Sequence, residues 1–391
     1  HALTLGQRAL ADEIVIADSI TELSRDDWSS LTENDVYGQY GWLRTVETAI
    51  RDASQPKYFF LYRDGNPLVA AALYGHTRRD MSGRLGDLLF GRAAEVIRKL
   101  RLAPGRTMYC GPLIGQGRHV FWNKQYGPEH ASISIRAMLE VLNNQFTVDK
   151  VPVVFGRIPE DEPDLLRELR DFGCIESCTW PISYIDLKWD SFDDYVKSLS
   201  GVSKNMSTKA RREISAPAKR GVRIQSLSTF SSNAEKIDRL FLQNQSKHAT
   251  EPPAFERSFV DSLAEYNSGQ SVMNIAETDD GSQFLGCALL LRAGTSAAGP
   301  LIGVENDDLN RKAFTYFNLS LYTPVRYCLQ HNISRLYLGS GLARMKQKRG
   351  CGQMNVYVFA LAAPVFPRLA WRCWMWLHRR WITMKLTRES V

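Results

Sequence analysis

The pentapeptide Gly-Pro-Leu-Ile-Gly occurs twice in this chain of 391 residues, at positions 111–115 and 299–303. Each copy follows a hairpin pattern with a glycine turn, and each precedes an amphipathic helix, a short apolar strand and a Gly-Cys pair. The same parts recur in the same order, which is the signature of an internal repeat. The sequence therefore predicts one α/β domain used twice, with each pentapeptide in a strand of its sheet.

The repeat sets the expected domain boundaries. We predict a first domain over residues 13–184, with a basic insertion at 76–106, and a second domain over residues 185–362. Residues 184–187 have the pattern of a strand that the two domains could share. Residues 363–391 concentrate Trp and Arg. They are expected to form a basic C-terminal helix that either docks on the body or lies at an anionic membrane surface.

Composition limits the partners and the chemistry. The formal charge is +7, and basic residues cluster at 78–106, at 204–223 and near the C-terminus, which favours an anionic partner. The seven cysteines contain no CxxC motif and the seven histidines form no ligand pair, so we expect free thiols and no metal. No apolar run is long enough to span a membrane. We expect a cytoplasmic protein, with membrane contact through residues 368–388 as the alternative.

The order of strands and helices around a central hairpin resembles the GNAT fold. In the second copy, residues 203–224 (SKNMSTKARREISAPAKRGVRI) resemble the basic signature helix of the Fem-type aminoacyl and peptidyl transferases and their FemAB-like relatives. The residues that fit this pattern are Arg211, Arg212, Ile214, Ala218, Lys219, Gly221 and Val222, with Ala218 displaced by one position. Pro217 departs from the pattern. Because proline disrupts a helix interior, we expect the helix to kink or end there.

A second stretch, residues 336–352 (LYLGSGLARMKQKRGCG), resembles the strand, glycine turn and lysine segment of the same family. Gly339, Gly341, Lys346 and Gly350 carry this match. The resemblance covers most of residues 14–362. It implies an α/β fold built as a tandem repeat of two GNAT-like domains, each a mixed central sheet flanked by helices. It also implies amide-bond formation, with the reaction site in the second copy.

The resemblance implies transfer of an aminoacyl group from aminoacyl-tRNA to an amine of a peptide, amino-sugar, cell-wall or natural-product acceptor. Charged tRNA is then a co-substrate and no cofactor is expected. An acyl-CoA or carrier-protein thioester is the alternative donor. Residues 347–352 (QKRGCG) satisfy the CoA pyrophosphate motif, but they run into a strand-like segment rather than a helix. A non-catalytic, envelope-associated binding protein of the same fold is the alternative from another class.

Four residues are candidates for catalysis. His248 could take a proton from the amine, and Glu305 follows the strand at which GNAT chemistry takes place. Tyr316 could donate to an oxyanion, and Lys346 lies beside the glycine turn. The candidate substrate-binding residues are Lys209, Arg211, Arg212, Asp307, Asp308, Ser340 and Arg349. Structural roles are the alternative, since acids before a helix cap it and basic residues on a helix face are often only solvated.

Overall fold

The computed structural model describes residues 12–50, 53, 55–77, 106–149, 151–246 and 258–361, together with Trp376, Leu377, Arg379 and Arg380. In these ranges one continuous sheet of thirteen strands runs through the molecule. The strands are β1 (Asp12–Ala17), β2 (Pro56–Arg63), β3 (Asn66–Thr77), β4 (Arg106–Cys110), β5 (Val120–Trp122), β6 (Val153–Pro159), β7 (Ile175–Asp186), β8 (Val222–Leu227), β9 (Ser271–Thr278), β10 (Phe284–Ala293), β11 (Ser296–Val304), β12 (Arg335–Tyr337) and β13 (Gly352–Leu361).

Helices of very different length connect these strands. They are α1 (Arg25–Thr32), α2 (Tyr40–Ala49), α3 (Gly127–Val148), α4 (Pro163–Asp171), α5 (Phe192–Ser198), α6 (Met206–Ser215), α7 (Ala234–Ser246), α8 (Phe259–Tyr266), α9 (Asp308–Ala313), α10 (Thr315–Phe317), α11 (Thr323–Gln330) and α12 (Ala343–Gln347). Most of the predicted basic insertion and most of the predicted C-terminal helix lie outside the described residues.

The two halves repeat one plan. In each, a first strand (β1 or β8) is followed by two helices, a three-strand meander, a helical segment, a strand parallel to the last meander strand (β6 or β12), a further helix (α4 or α12) and a final strand (β7 or β13). Helices α5 and α6 stand between the halves and have no counterpart among the described residues of the first. The predicted tandem repeat of a GNAT-like α/β unit is confirmed.

The two pentapeptides occupy equivalent positions but differ in structure. The last three residues of β4 pair in parallel with β6, and the first three residues of β11 pair in parallel with β12; Gly111 and Gly299 come next in each case. The second copy continues in β11, opposite β10. The first copy leaves the sheet in bends, with Gly115 at φ +84° and its Cα against the Tyr37 ring. The prediction of a strand is therefore wrong for the first copy, because the left-handed φ of Gly115 is incompatible with extended backbone.

The halves exchange their final strands. The sheet runs β1-β2-β3-β4-β6-β13-β7-β12-β11-β10-β9-β8, and β5 pairs with β3. Strand β13, from the second half, lies between β6 and β7 of the first. Residues Tyr184, Ile185 and Asp186 of β7 pair with β12 of the second half. The predicted shared strand near residue 184 is thus confirmed, and it is reciprocated by β13.

An apolar core also joins the halves. Helix α2 contacts α8, with the rings of Trp42 and Phe259 6.3 Å apart and Thr45 Oγ1 donating to the Ser262 carbonyl oxygen at 3.4 Å. Buried residues of α7, β9 and β10 extend this cluster into the second half. Because burying apolar surface is the main favourable term in folding, this shared core holds the two repeats as one body.

The signature helix ends where proline predicts. Helix α6 stops at Ser215, Pro217 opens a 3-10 turn, and Gly221 at φ +65° turns the chain into β8. The amphipathic helix expected after the second pentapeptide is interrupted at Phe314, whose φ is +51°; residues 315–330 then continue as α10, a wider π-helical stretch at 318–322, and α11. Pro324 has no N–H to donate to the preceding turn, and a wider turn accommodates this loss.

Candidate active site

Lys346 is a buried cation at the end of the parallel strand pair of the second half. Helix α12 begins after two left-handed residues, Gly339 at φ +68° and Leu342 at φ +55°, and this path turns Lys346 inward. Lys346 is only 4% exposed, and its Nζ donates to the carbonyl oxygens of Leu338 and, at 3.3 Å, of Gly339. No carboxylate in the described part of the chain pairs with it. Burial lowers the pKa of Lys346 to about 8.

One donor of this lysine remains available. An ammonium group has three N–H donors, and the two carbonyl oxygens account for two of them. Both carbonyl groups belong to backbone that is fixed in the sheet, since the Leu338 N–H donates to Ser183 and the Ser183 N–H donates to Gly339. Lys346 therefore keeps one N–H group for which the described chain shows no acceptor, in buried surroundings where electrostatic interactions are stronger than in water.

Arg349 anchors α12 to the signature helix. Its Nη2 lies 2.8 Å from both carboxylate oxygens of Glu213, and its Nε donates to Glu213 Oε2 at 3.1 Å. Both side chains are 1% exposed. Nη1 of Arg349 donates to the Met345 carbonyl oxygen at 2.7 Å, which closes the turn that contains Lys346. A bidentate pair of this kind fixes orientation as well as distance.

Aromatic and polar side chains surround this ion pair. The Tyr322 hydroxyl donates to Glu213 Oε2 at 2.6 Å, and the guanidinium of Arg349 lies 3.6 Å from the centre of the Phe317 ring. The Asn318 amide donates to the Glu213 carbonyl oxygen, and the Tyr195 hydroxyl donates to the Arg349 carbonyl oxygen at 2.9 Å. Burial, and then the bond to Glu213, raise the pKa of Tyr322. The ion pair is therefore well satisfied, as a buried pair must be to be tolerated.

The two helices joined by this pair present a basic surface. Lys209, Arg211 and Arg212 of α6 are exposed, as are Arg344 of α12 and Lys348 just beyond it. We call these five residues the α6–α12 basic surface. Lys209 Nζ lies 4.0 Å from Glu213 Oε1, and the other four have no carboxylate partner among the described residues. Such a surface attracts anions.

Comparison with known proteins assigns the chain to a family. A family profile named FemAB-like and described as peptidoglycan biosynthesis/recognition matches residues 19–369. The chain belongs to the FemAB-like family. A search of curated protein sequences found no significant match.

Solved structures share the fold of this FemAB-like chain. The crystal structure of FemX is 12% identical over 89% of this chain and 97% of its own, with a TM-score of 0.55. The C-terminal domain of a lysylphosphatidylglycerol synthetase from Agrobacterium fabrum is 11% identical over 88% of this chain and 92% of its own, with a TM-score of 0.54. At these identities the likeness establishes the fold alone.

The predicted basic site residues of the FemAB-like chain lie on two neighbouring helices, and one of them has a different setting from the one expected. Lys209, Arg211, Arg212 and Lys346 lie on the two helices that the Arg349–Glu213 pair holds together. Arg349, predicted to bind substrate, is instead bound to Glu213 and inaccessible. A substrate contact would require this buried pair to break, which is strongly unfavourable. Ser340 is exposed in the turn between β12 and α12.

The predicted acids have partners of their own. Glu305 pairs with Arg239 of α7 at 2.7 Å. Asp307 caps α9 by accepting from the Asn310 N–H at 2.7 Å. Asp308 is exposed and pairs with Arg311 and Lys312, whose hydrogen bonds lower its pKa to about 2. The interactions of Asp307 and Asp308 are those of an ordinary helix N-terminus.

The remaining candidates are Tyr316 and His248. Tyr316 is partly buried, its ring centre lies 5.3 Å from that of Phe317, and burial raises its pKa. It therefore borders the aromatic side of Arg349. His248 lies outside the described residues.

The sequence did not indicate Glu213 or Tyr322 as site residues. Glu213 lies four residues after Lys209, which reads as a solvated helix pair, and Tyr322 reads as core. The available signal was that Glu213 and Arg349 each lie in a segment that resembles a family motif. Because a buried charge needs a partner, these two residues could have been paired with each other. Among the described residues, no group of His, Cys, Asp and Glu could hold a metal ion, and six cysteines carry free thiols. No helix in the described ranges has the length and apolar character needed to cross a bilayer.

Proposed function

We propose that this FemAB-like chain is an aminoacyltransferase that moves an aminoacyl group from aminoacyl-tRNA to an amine of a peptide, amino-sugar, cell-wall or natural-product acceptor in the cytoplasm. The family and the GNAT-like fold support an acyltransferase. The observation that carries the proposal is Lys346, a desolvated cation with one uncommitted N–H at the end of the parallel strand pair.

In the proposed reaction the acceptor amine attacks the ester carbonyl carbon of the charged tRNA. A C–N bond forms, the ester C–O bond breaks, and the ribose oxygen leaves with the electron pair of that bond. The amine nitrogen gives up one proton, and the leaving oxygen takes one up. The Lys346 N–H group stabilises the negative charge that develops on oxygen, which is commonly the largest contribution in acyl transfer.

The Arg349–Glu213 pair has a positioning role in this proposal. It fixes the turn of α12 that carries Lys346, through the bond from Arg349 to Met345. Positioning of this kind matters because small misplacements of a catalytic group cause large losses of rate. Neither residue needs to touch the substrate.

The α6–α12 basic surface supports a nucleic-acid donor. Its five cations can neutralise phosphates, and each phosphate contact makes binding weaker as salt concentration rises. If all five make such contacts, raising salt from about 50 to 200 mM weakens tRNA binding roughly 10²–10³-fold. Substituting Arg211 and Arg212 by Gln lowers this salt dependence without touching Lys346.

Transfer assays with purified chain test the proposal. Charged tRNA and acyl-CoA are offered separately with a panel of amines, and amide products are read by mass spectrometry. We expect product from charged tRNA and loss of product in Lys346→Met. If product forms from acyl-CoA alone, the donor is acyl-CoA and not charged tRNA. Transfer that is insensitive to salt would contradict the nucleic-acid donor, and undiminished cellular function of Lys346→Met would favour a binding protein.

A further inference from the structure

A cleft of about 470 Å³ lies beside the Arg349–Glu213 pair and does not include Lys346. Its walls are the end of α6, strand β8 and helix α11. Tyr322 and Asn318, which both hold Glu213, form part of its lining. The volume falls within the roughly 300–1,000 Å³ of ligand-binding clefts.

Strand β8 contributes its backbone edge to this cleft. It is the last strand of the sheet and pairs only with β9 in the described chain. Five consecutive residues, 222–226, line the cleft. Side chains along a strand alternate between two faces, so a cleft lined by five in a row follows the edge of the strand. An unpaired edge offers N–H and C=O groups to an added extended chain.

The cleft also contains one acid and one base without partners of opposite charge. Asp279 and Arg326 are exposed and line it, and neither forms a salt bridge with any described residue. The Arg326 guanidinium rests 4.3 Å from the centre of the Phe192 ring, which orients it without neutralising it. By contrast, the guanidinium of Arg223, also in the lining, is 2.6 Å from Glu277. A ligand that carries an ammonium and a carboxylate complements Asp279 and Arg326.

We propose that this cleft is a second binding site, which takes a short extended peptide along the β8 edge, with its ammonium at Asp279 and its carboxylate at Arg326. The proposal goes beyond the transferase function, because the site stands apart from Lys346 and needs no tRNA. Peptide contacts with Tyr322 and Asn318 would affect the position of Glu213, to which both residues donate hydrogen bonds. Arg349, bound to Glu213, would pass this effect on to the turn that carries Lys346.

Calorimetric titration of the full chain with trialanine tests this site. N-acetylated, C-amidated and doubly blocked trialanine are titrated in parallel. We expect free trialanine to bind most tightly and each blocked end to weaken binding about tenfold, since one lost charge contact of about 1.4 kcal/mol corresponds to that factor. Equal binding of all four peptides, or absence of binding by trialanine, would overturn the proposal.

Variants assign each end of the peptide. Asp279→Asn should abolish the effect of N-acetylation and leave that of amidation, and Arg326→Met should do the reverse. Arg326→Lys should retain part of the amidation effect because it retains the charge. Arg223→Met is the matched control, since that arginine is already paired with Glu277. Amidation that still weakens binding to Arg326→Met would contradict the assignment. All of these measurements stand whether or not the chain transfers aminoacyl groups.

Discussion

Helices α4 and α12 follow equivalent strands in the two halves, yet they bury opposite charges. Helix α4 buries Glu168, which is surrounded by Ser132 at 2.7 Å and by Arg136 and Arg167, both about half exposed. Helix α12 buries Lys346 against backbone carbonyl groups alone. A buried acid with several donors is a structural feature, whereas a buried base without a counter-ion has a raised free energy. The comparison indicates that the buried Lys346 lowers the stability of the second half, a cost that is common at functional sites.

The largest expected effect is a difference in stability between variants of two buried carboxylates, Glu213 and Glu168. Glu213→Gln leaves the fully buried Arg349 without its counter-ion, so we expect a loss of about 3–5 kcal/mol in the free energy of unfolding. Glu168→Gln is the matched control in α4. Its arginine partners reach solvent, and we expect about 1 kcal/mol or less. Denaturant unfolding of both variants decides this, and equal losses would remove the distinction between the halves.

A second effect concerns rate rather than stability. Lys346→Met should lower the rate of aminoacyl transfer about 10²–10³-fold, the usual cost of removing one donor to a developing oxyanion. Its stability should not fall, because a buried charge is replaced by an apolar chain of similar length. Arg167→Met on α4 should leave the rate unchanged. A comparable loss of rate in both variants would mean that the effect on aminoacyl transfer is not specific to α12.

The pH dependence of stability also distinguishes the buried Lys346 of α12 from the buried Glu168 of α4. Lys346 is charged in both folded and unfolded chains below pH 8, so the cost of burying its charge is then fully present. Between about pH 8 and 10.5 the folded chain releases the proton first, and stability rises with pH. Relative to Lys346→Met, the native chain should gain up to about 3 kcal/mol across this window.

Unfolding measured at several pH values in both proteins checks this gain, while Glu168→Gln should show no such difference. Because transfer needs the charged lysine, its rate should fall above about pH 8. A stability difference that stays constant with pH would show that the pKa of Lys346 is not lowered.

The smallest effect compares two glycines at equivalent turns. Gly173 and Gly350 precede the exchanged strands with φ of +83° and +84°. Alanine at either position costs about 1–2 kcal/mol for the left-handed backbone. At Gly350 the new methyl group would also lie 3.2 Å from Leu199, whereas at Gly173 it meets no atom within 4 Å. We expect Gly350→Ala to be the more destabilising in thermal unfolding, and the reverse order would imply that Leu199 relaxes freely.

Local patterns predicted much of the fold. Strand β8 (Val222–Leu227) begins directly after Gly221, because that glycine and the alternating residues after it act over a short range. The left-handed glycines before β7 and β13 were visible as Gly-Cys pairs. The exchange itself was not predictable, since either final strand could complete either sheet, and the choice depends on contacts made across more than 150 residues.

The site was predicted less well than the fold, and for a related reason. Lys346 was found because a glycine turn marks it within a few residues. The setting of Arg349 depends on Glu213, which is 136 residues earlier, and no local pattern shows that both are buried. Asp307 and Asp308, after β11, have the local sequence of a helix N-terminus, and that is the role they have in the structure.

The exchange of β7 and β13 determines when this chain can finish folding during synthesis. The first half lacks its central neighbour until residues 352–361 have been made, so β6 and β7 leave the ribosome with backbone edges that have no partner. The repeat that is translated first is therefore completed only after β13 of the second repeat has been made, and the docking of that one strand closes the sheet.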